Sequence, residues 1–333
     1  MTVSPPASTE SSRTATHLIL VIDVSGSMGS PASVTGTPGA SAEDTGLSIL
    51  DITKHAAKTA IKLLNPRDRL SIVKFTTEAT VLKANLVMTP ENAKDALSTI
   101  DALEPENSTN IWDGLVKAMD LAKAHPSLPG SVFLLTDGVP NIVPPRSHLP
   151  MLSRYIDSNP TLRFTVNTFG FGYNLDSTLL LDLAVAGGGN YAFIPDASFV
   201  GTVFVHAVSN ELSKLGSSAV LSIECAAGGS GGLVLGASNN KQLKASKTSW
   251  GYTVDVGSLS YDQARTFVVA FEGAAPEVQG VTLDYYDYFA GKVIKVTLER
   301  ALDPVAPATE EIEFEGERGP SADPGIVPKV CNA

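Results

Sequence analysis

Thr16-His17-Leu18-Ile19-Leu20-Val21-Ile22-Asp23-Val24-Ser25-Gly26-Ser27-Met28-Gly29 opens with a near-continuous apolar run and closes on an acid, two serines and two glycines. An apolar run without alternation reads as a strand buried on both faces, as in a parallel sheet covered by helices. The following loop, 26–46, is rich in Gly, Ser and Pro. It is longer than most strand-to-helix loops, and loops of that length are often functional.

Outward from this strand the chain keeps a rhythm. Residues 50–64 have helical spacing, with Ile52, Ala56, Ala60 and Leu63 on one face and Asn65-Pro66 as a stop. Residues 69–75 and 79–88 read as strands, the second at a sheet edge. Thr89-Pro90 opens a helix to Leu103, a threonine cap with proline at the first helical position. A helix over 111–124, a short buried strand over 131–135 and a helix over 149–157 follow. Then come a strand over 163–171, a helix over 177–186, a strand over 191–194 and a closing helix over 199–215. Strands alternating with helices predict an α/β fold, a Rossmann-like, doubly wound, mostly parallel sheet with helices on both faces.

Beyond Gly216 short alternating runs at 220–225, 232–235, 252–256, 266–271, 281–286 and 292–298 are separated by Gly, Ser, Asn and Asp turns. That spacing predicts an antiparallel β-sandwich. The expected organisation is a disordered arm at 1–14, the α/β domain at 15–215, the β-sandwich domain at 216–300 and an acidic, proline-rich tail at 301–333.

Loops at the carboxyl ends of the strands form the binding edge of such a sheet. One holds Asp23, Ser25 and Ser27. One holds Thr109 at the start of the 111–124 helix. One holds Asp137, directly after the 131–135 strand. Two carboxylates and three hydroxyls are hard oxygen donors, the set that suits Mg²⁺, Mn²⁺ or Ca²⁺ rather than zinc. Few charged ligands would leave the ion with residual positive charge and an exchangeable position. Gly26 lets the chain turn between the two serines. Gly26, Met28, Asn110 and Gly138 are the expected partner-binding edge around the ion.

Asp23-Val24-Ser25-Gly26-Ser27 resembles the DxSxS motif of von Willebrand factor type A domains. Ser108-Thr109-Asn110 resembles that family's threonine loop, and Leu134-Leu135-Thr136-Asp137-Gly138 its aspartate loop. The resemblance covers about residues 15–215. It implies a metal-ion-dependent adhesion site in which Ser25, Ser27 and Thr109 bind the ion directly, while Asp23 and Asp137 act directly or through water. Residues 68–75, 110–115 and 169–196 also resemble intracellular eukaryotic members that accompany ubiquitin-ligase or Hint (intein-like) modules. No RING, U-box or Cys/His cluster is present, so ligase activity does not carry over. The chain departs from the family in an insert at 30–45, on the edge that faces the ligand.

Composition bounds the partners. Twenty-four basic against 35 acidic residues give a formal charge of −11, which disfavours nucleic acid and anionic membranes. No apolar run reaches about 18 residues, and 1–13 lacks the apolar core of a signal peptide, so the expected location is cytoplasmic. Cys225 and Cys331 define no disulfide framework; Cys225 reads as a buried, inert thiol. The five histidines are scattered and read as structural or surface residues. Ser25-Gly26-Ser27-Met28-Gly29 fails the nucleophile-elbow pattern at its first position.

The reading is therefore a non-enzymatic protein-binding module whose divalent ion bridges to an acidic side chain of a partner protein. A metal-assisted hydrolase is the alternative, with Asp44, Glu106 or Asp113 as the general base. A third reading is a scaffold, or the N-terminal part of a VWA-Hint or ubiquitin-pathway protein, in which the metal site is vestigial.

Overall fold

A computed structural model describes residues 2–7, 13–34, 43–106, 108–173, 175–195, 197–226, 233–235, 244–266, 269–271, 277–298 and 329–331. The chain divides into two units, residues 15–212 and residues 1–14 with 213–333. Among the described residues no helix is long and apolar enough to cross a membrane.

Strand β1 (Thr2–Ser4) belongs to the second unit. The first unit starts with β2 (His17–Asp23) and a 3-10 turn (Gly26–Gly29). A hairpin of β3 (Pro31–Val34) and β4 (Glu43–Ser48) leads into α1 (Ile49–Leu63). The chain continues through β5 (Arg69–Phe75), β6 (Ala79–Val87), α2 (Pro90–Asp101), α3 (Ile111–Ala122) and β7 (Gly130–Thr136). It closes with α4 (His148–Asp157), β8 (Phe164–Phe171), α5 (Ser177–Ala186), β9 (Gly188–Ile194) and α6 (Ala197–Leu212). The six-stranded sheet has the order β6-β5-β2-β7-β8-β9, parallel except for β6.

The unbroken apolar run of β2 has a direct cause. Leu18, Leu20 and Ile22 face one core layer with Leu50 of α1, Ile100 of α2 and Phe204 of α6. Ile19 and Val21 face the opposite layer with Leu115 of α3, Leu152 of α4 and Leu183 of α5. A central strand covered on both sides buries every residue, so no alternation survives in its sequence. Parallel pairing with β5 and β7 then brings the carboxyl ends of three strands, and the loops beyond them, to one edge.

The second unit is antiparallel. Strands β10 (Lys214–Cys225), β11 (Leu233–Leu235), β12 (Lys244–Lys247), β13 (Gly251–Ser260) and β14 (Arg265–Thr266) precede β15 (Val269–Phe271), β16 (Val278–Asp287), β17 (Lys292–Leu298) and β18 (Lys329–Cys331). The main sheet has the order β12-β13-β10-β16-β17. Leu221, Ile223, Val254, Leu283 and Tyr285 form its core together with Val3 of β1, which lies in the separate sheet β14-β1-β18.

Several expectations are corrected here. The expected disordered arm contributes β1, whose backbone pairs with β14 and β18; residues 8–12 of that arm lie outside the described residues. The tail expected at 301–333 supplies β18, and its remainder lies outside the described residues. The 26–46 loop contains the β3–β4 hairpin, whose short strands carry no apolar alternation to announce them; residues 35–42 lie outside the described residues. Leu63 is turned to solvent at 37% exposure, and Ile61 takes its place in the core. The closing helix ends at Leu212, because Lys214 and Gly216 already pair with β13. Cys225 is half-buried and free, and burial raises its thiol pKa. The side chain of Cys331 lies outside the described residues.

His17 at the start of β2 is buried. Its Nε2 lies 2.8 Å from the Ser71 hydroxyl, and its Nδ1 has no partner. Burial first, then the charges of His125 and Arg69, hold its pKa down at about 4. An unfolded chain takes a proton here below about pH 6.5, whereas the folded one refuses it until about pH 4. The His17 contribution is thus complete above pH 6.5 and is lost as pH falls from there to 4. At about 1.4 kcal/mol per unit it reaches about 3 kcal/mol. Urea unfolding at pH 4.5 and 7 should show His17→Gln losing less stability on acidification than wild type; equal losses would contradict this.

Candidate metal centre

Asp23 is the last residue of β2 and has no exposed surface. Its Oδ1 accepts the Ser25 N–H at 2.8 Å, and its Oδ2 accepts the Thr136 hydroxyl. The Thr136 hydroxyl in turn accepts the Gly138 N–H at 2.9 Å. One carboxylate therefore shapes its own loop and ties it to the loop after β7. The Ser25 and Ser27 hydroxyls lie 3.1 Å apart, and the nearby Ser27 hydroxyl offsets part of the rise that burial imposes on Asp137. Ser25 is buried and Ser27 exposed, so this chain of hydroxyls runs from the interior to the surface.

The Thr109 loop closes the arrangement. The Thr109 N–H donates to Asn141 Oδ1 at 2.9 Å, and its carbonyl accepts the N–H groups of Asn141 and Ile142. Asn110 caps α3 by accepting the Asp113 N–H, while its own N–H donates to the Thr76 carbonyl beyond β5. Against the first loop, the Glu106 N–H donates to the Val24 carbonyl. A side chain on Gly26 would begin 3.2 Å from the Glu106 carbonyl, so the glycine admits this close approach. Asp23, Ser25, Ser27, Thr109 and Asp137 thus stand on three mutually bonded loops at one sheet edge.

The electrostatics are those of acids without a countercharge. Burial raises Asp23 to about 7, against the lowering effect of the Thr136 and Ser25 hydrogen bonds, and the neighbouring Asp137 adds to the rise. Burial also raises Asp137, opposed by Ser27. No lysine or arginine pairs with either carboxylate among the described ion pairs. Removing a carboxylate from water is costly unless charge or hydrogen bonds compensate. A divalent cation among these oxygens would supply the missing charge, and the donor set fits one. Among the described residues no three His, Cys, Asp or Glu side chains gather as metal ligands, so the site is hydroxyl-rich rather than carboxylate- or imidazole-rich.

Two residues of the expected partner edge are misplaced. Met28 is fully buried, because the 3-10 turn closed by its N–H on the Ser25 carbonyl swings it into the core. Gly138 is buried at φ +86°, with Leu175 only 2.9 Å from where its Cβ would stand. Gly26 is exposed, and Asn110 is half-buried with its side chain held between Asp113 and Thr77. Thr136 and Asn141 were not anticipated. A hydroxyl one residue before Asp137 was a usable signal for the first; nothing in the Pro140-Asn141-Ile142 loop marks the second.

Two of the three bases weighed for a hydrolase are otherwise engaged. Glu106 forms an ion pair with Lys74, and Asp113 Oδ2 accepts the Ala79 N–H at 2.6 Å. The Asp44 side chain lies outside the described residues.

Residues 40–193 match the family model for the von Willebrand factor type A domain. That span includes the Thr109 and Asp137 loops and begins after the Asp23–Ser27 loop. A solved von Willebrand factor type A protein from Catenulispora acidiphila shares the fold, with TM-score 0.65 at 19% identity over 86% of this chain and 66% of its own. Inter-alpha-trypsin inhibitor heavy chain H3 of Mus musculus is 29% identical over 181 residues, 52% of this chain and 18% of the relative. Heavy chain H4 of Homo sapiens is 31% identical over 147 residues, 41% of this chain and 15% of the relative. The chain thus aligns with less than a fifth of the length of these curated relatives.

Proposed function

We propose, for a chain that carries a von Willebrand factor type A domain, that this domain is a metal-ion-dependent protein-recognition module rather than an enzyme. Asp23, Ser25, Ser27, Thr109 and Asp137 would hold one divalent cation, Mg²⁺ before Mn²⁺ or Ca²⁺. The bound ion supplies a positive centre that a carboxylate from a partner protein can meet. The chain's own residues do the rest. Asp23 fixes the loop through Ser25 and Thr136, Ser27 carries the site to the surface, and Asn141 holds Thr109 in place.

The observation that carries this reading is the pair of buried carboxylates beside a row of hydroxyls at a loop edge, with no lysine or arginine paired to them among the described residues. A hydrolase would need a free base beside the ion, and of the candidate bases whose side chains are described, Glu106 and Asp113, both are committed elsewhere.

Immobilised chain should capture its partner in Mg²⁺ and release it in EDTA, while Thr109→Ala captures none. Capture indifferent to both EDTA and the substitution would sink the reading.

A further inference from the structure

We propose that the same edge reads a second feature of its partner: a large apolar side chain two residues from the acid. This inference rests on the metal-edge reading above. A cavity of about 720 Å³ opens in the α/β unit directly beside Ser27 and Asp137. Ile49 and Ile52 of α1, Phe171 at the end of β8, Leu175 and Ile194 of β9 form its apolar walls. Ser30, Pro31 and Ala32, at the start of the insert, complete the wall. The insert therefore shapes the binding surface through its first strand.

Charge selects the occupant. Asp137 is the one charged side chain among the lining residues, and it is already committed to the metal edge. The lining also carries the hydroxyls of Ser27, Ser30 and Tyr173, so the preference comes from the apolar walls, against which a charged group would lose its hydration unpaired. An aromatic or long aliphatic side chain would gain, since such groups bury about 150–250 Å² each. The volume also lies within the roughly 300–1,000 Å³ of built ligand sites.

The rim points the same way. Val139 and Tyr173 are each 56% exposed, and the Tyr173 ring meets that of Phe193, itself 40% exposed, edge-on at 5.6 Å. Large apolar side chains gathered beside a polar site mark an interaction surface rather than ordinary exposure.

Proximity fixes the form of the occupant. Ser27 and Asp137 belong both to the metal edge and to the cavity wall. An extended chain advances about 3.3 Å per residue. Successive side chains face opposite sides, so a partner segment that places its Asp or Glu on the ion delivers the side chain two residues away, about 6.6 Å along, to the cavity mouth. The occupant is an extended segment of a partner protein that joins an acid to Phe, Trp, Leu or Ile.

The test is a displayed hexapeptide library with one fixed Glu and randomised flanks, selected on the whole chain in Mg²⁺ and eluted with EDTA. EDTA-released clones should be enriched in large apolar side chains two residues from the Glu. The double variant Val139→Glu with Tyr173→Ser changes two exposed positions, and its fold is checked by melting. It should still yield EDTA-released clones, but without the apolar preference. Wild-type clones that need Mg²⁺ and Glu yet show no apolar preference would overturn the cavity inference and leave the metal reading standing. Persistence of the preference in the double variant would overturn it too. No EDTA-released clones from wild type would overturn the metal reading and this inference together.

Discussion

Asp23→Asn should leave the α/β unit about as stable as wild type in metal-free buffer, and fall behind it by about 2.7 kcal/mol in Mg²⁺ at a hundred times the dissociation constant. The metal-free half follows from the geometry. An asparagine oxygen still accepts the Ser25 N–H, and the Thr136 hydroxyl has acceptor capacity for the amide that replaces Oδ2. The substitution also removes a carboxylate that burial already pushes towards its neutral form at about pH 7. The Mg²⁺ half follows from mass action, because an ion that binds only the folded state stabilises it, and Asn offers no charge to hold that ion. Urea unfolding read at Trp112, which packs in the α/β unit, reports the difference once Trp250 of the other unit is replaced by Phe. A gap between the two proteins that ignores Mg²⁺ would contradict the account.

Phe204→Ala should cost about 3–5 kcal/mol, a large part of the roughly 5–15 kcal/mol that keeps a domain folded. Phe204 sits on α6 with no exposed surface. Its ring lies 4.5 Å from Phe169, 6.2 Å from Phe133 and 6.3 Å from Phe171. Truncation empties the middle of this aromatic cluster and frees Phe171, which also walls the cavity beside Asp137. Phe199 is on the same helix but 51% exposed, and Phe199→Ala should cost less than about 0.5 kcal/mol. Equal costs for the two would mean that α6 is not held by this cluster.

The parts of the fold legible from sequence are those where a local pattern has a local cause. The run from Leu18 to Ile22 is unbroken because both faces of β2 are covered. Thr89 signals α2 because its side chain does accept the Asn92 N–H. The meeting of the Asp23 and Asp137 loops was legible because β2 and β7 pair in parallel and send their carboxyl ends to one edge; the Thr109 loop lies between α2 and α3, and its bonds to Asn141 had no sequence signal.

The illegible parts depend on distant partners. Strand β1 is three residues long and exists because it pairs with Arg265–Thr266 and Lys329–Cys331; no nearby pattern reports such pairing. The β3–β4 hairpin is invisible for want of alternation. Met28 looks like a surface residue from its place in the motif, and the 3-10 turn buries it. The resemblance of 68–75 and 110–115 to one group of intracellular proteins falls largely on buried residues such as Ile72, Val73, Ile111 and Leu115, so likeness there tracks packing that the fold itself demands.

Isothermal titration of Mg²⁺ into the whole chain tests the central claim most directly. One ion should bind per chain in wild type, and none in Asp23→Asn combined with Thr109→Ala. No binding to wild type, or unchanged binding to the double variant, would contradict it.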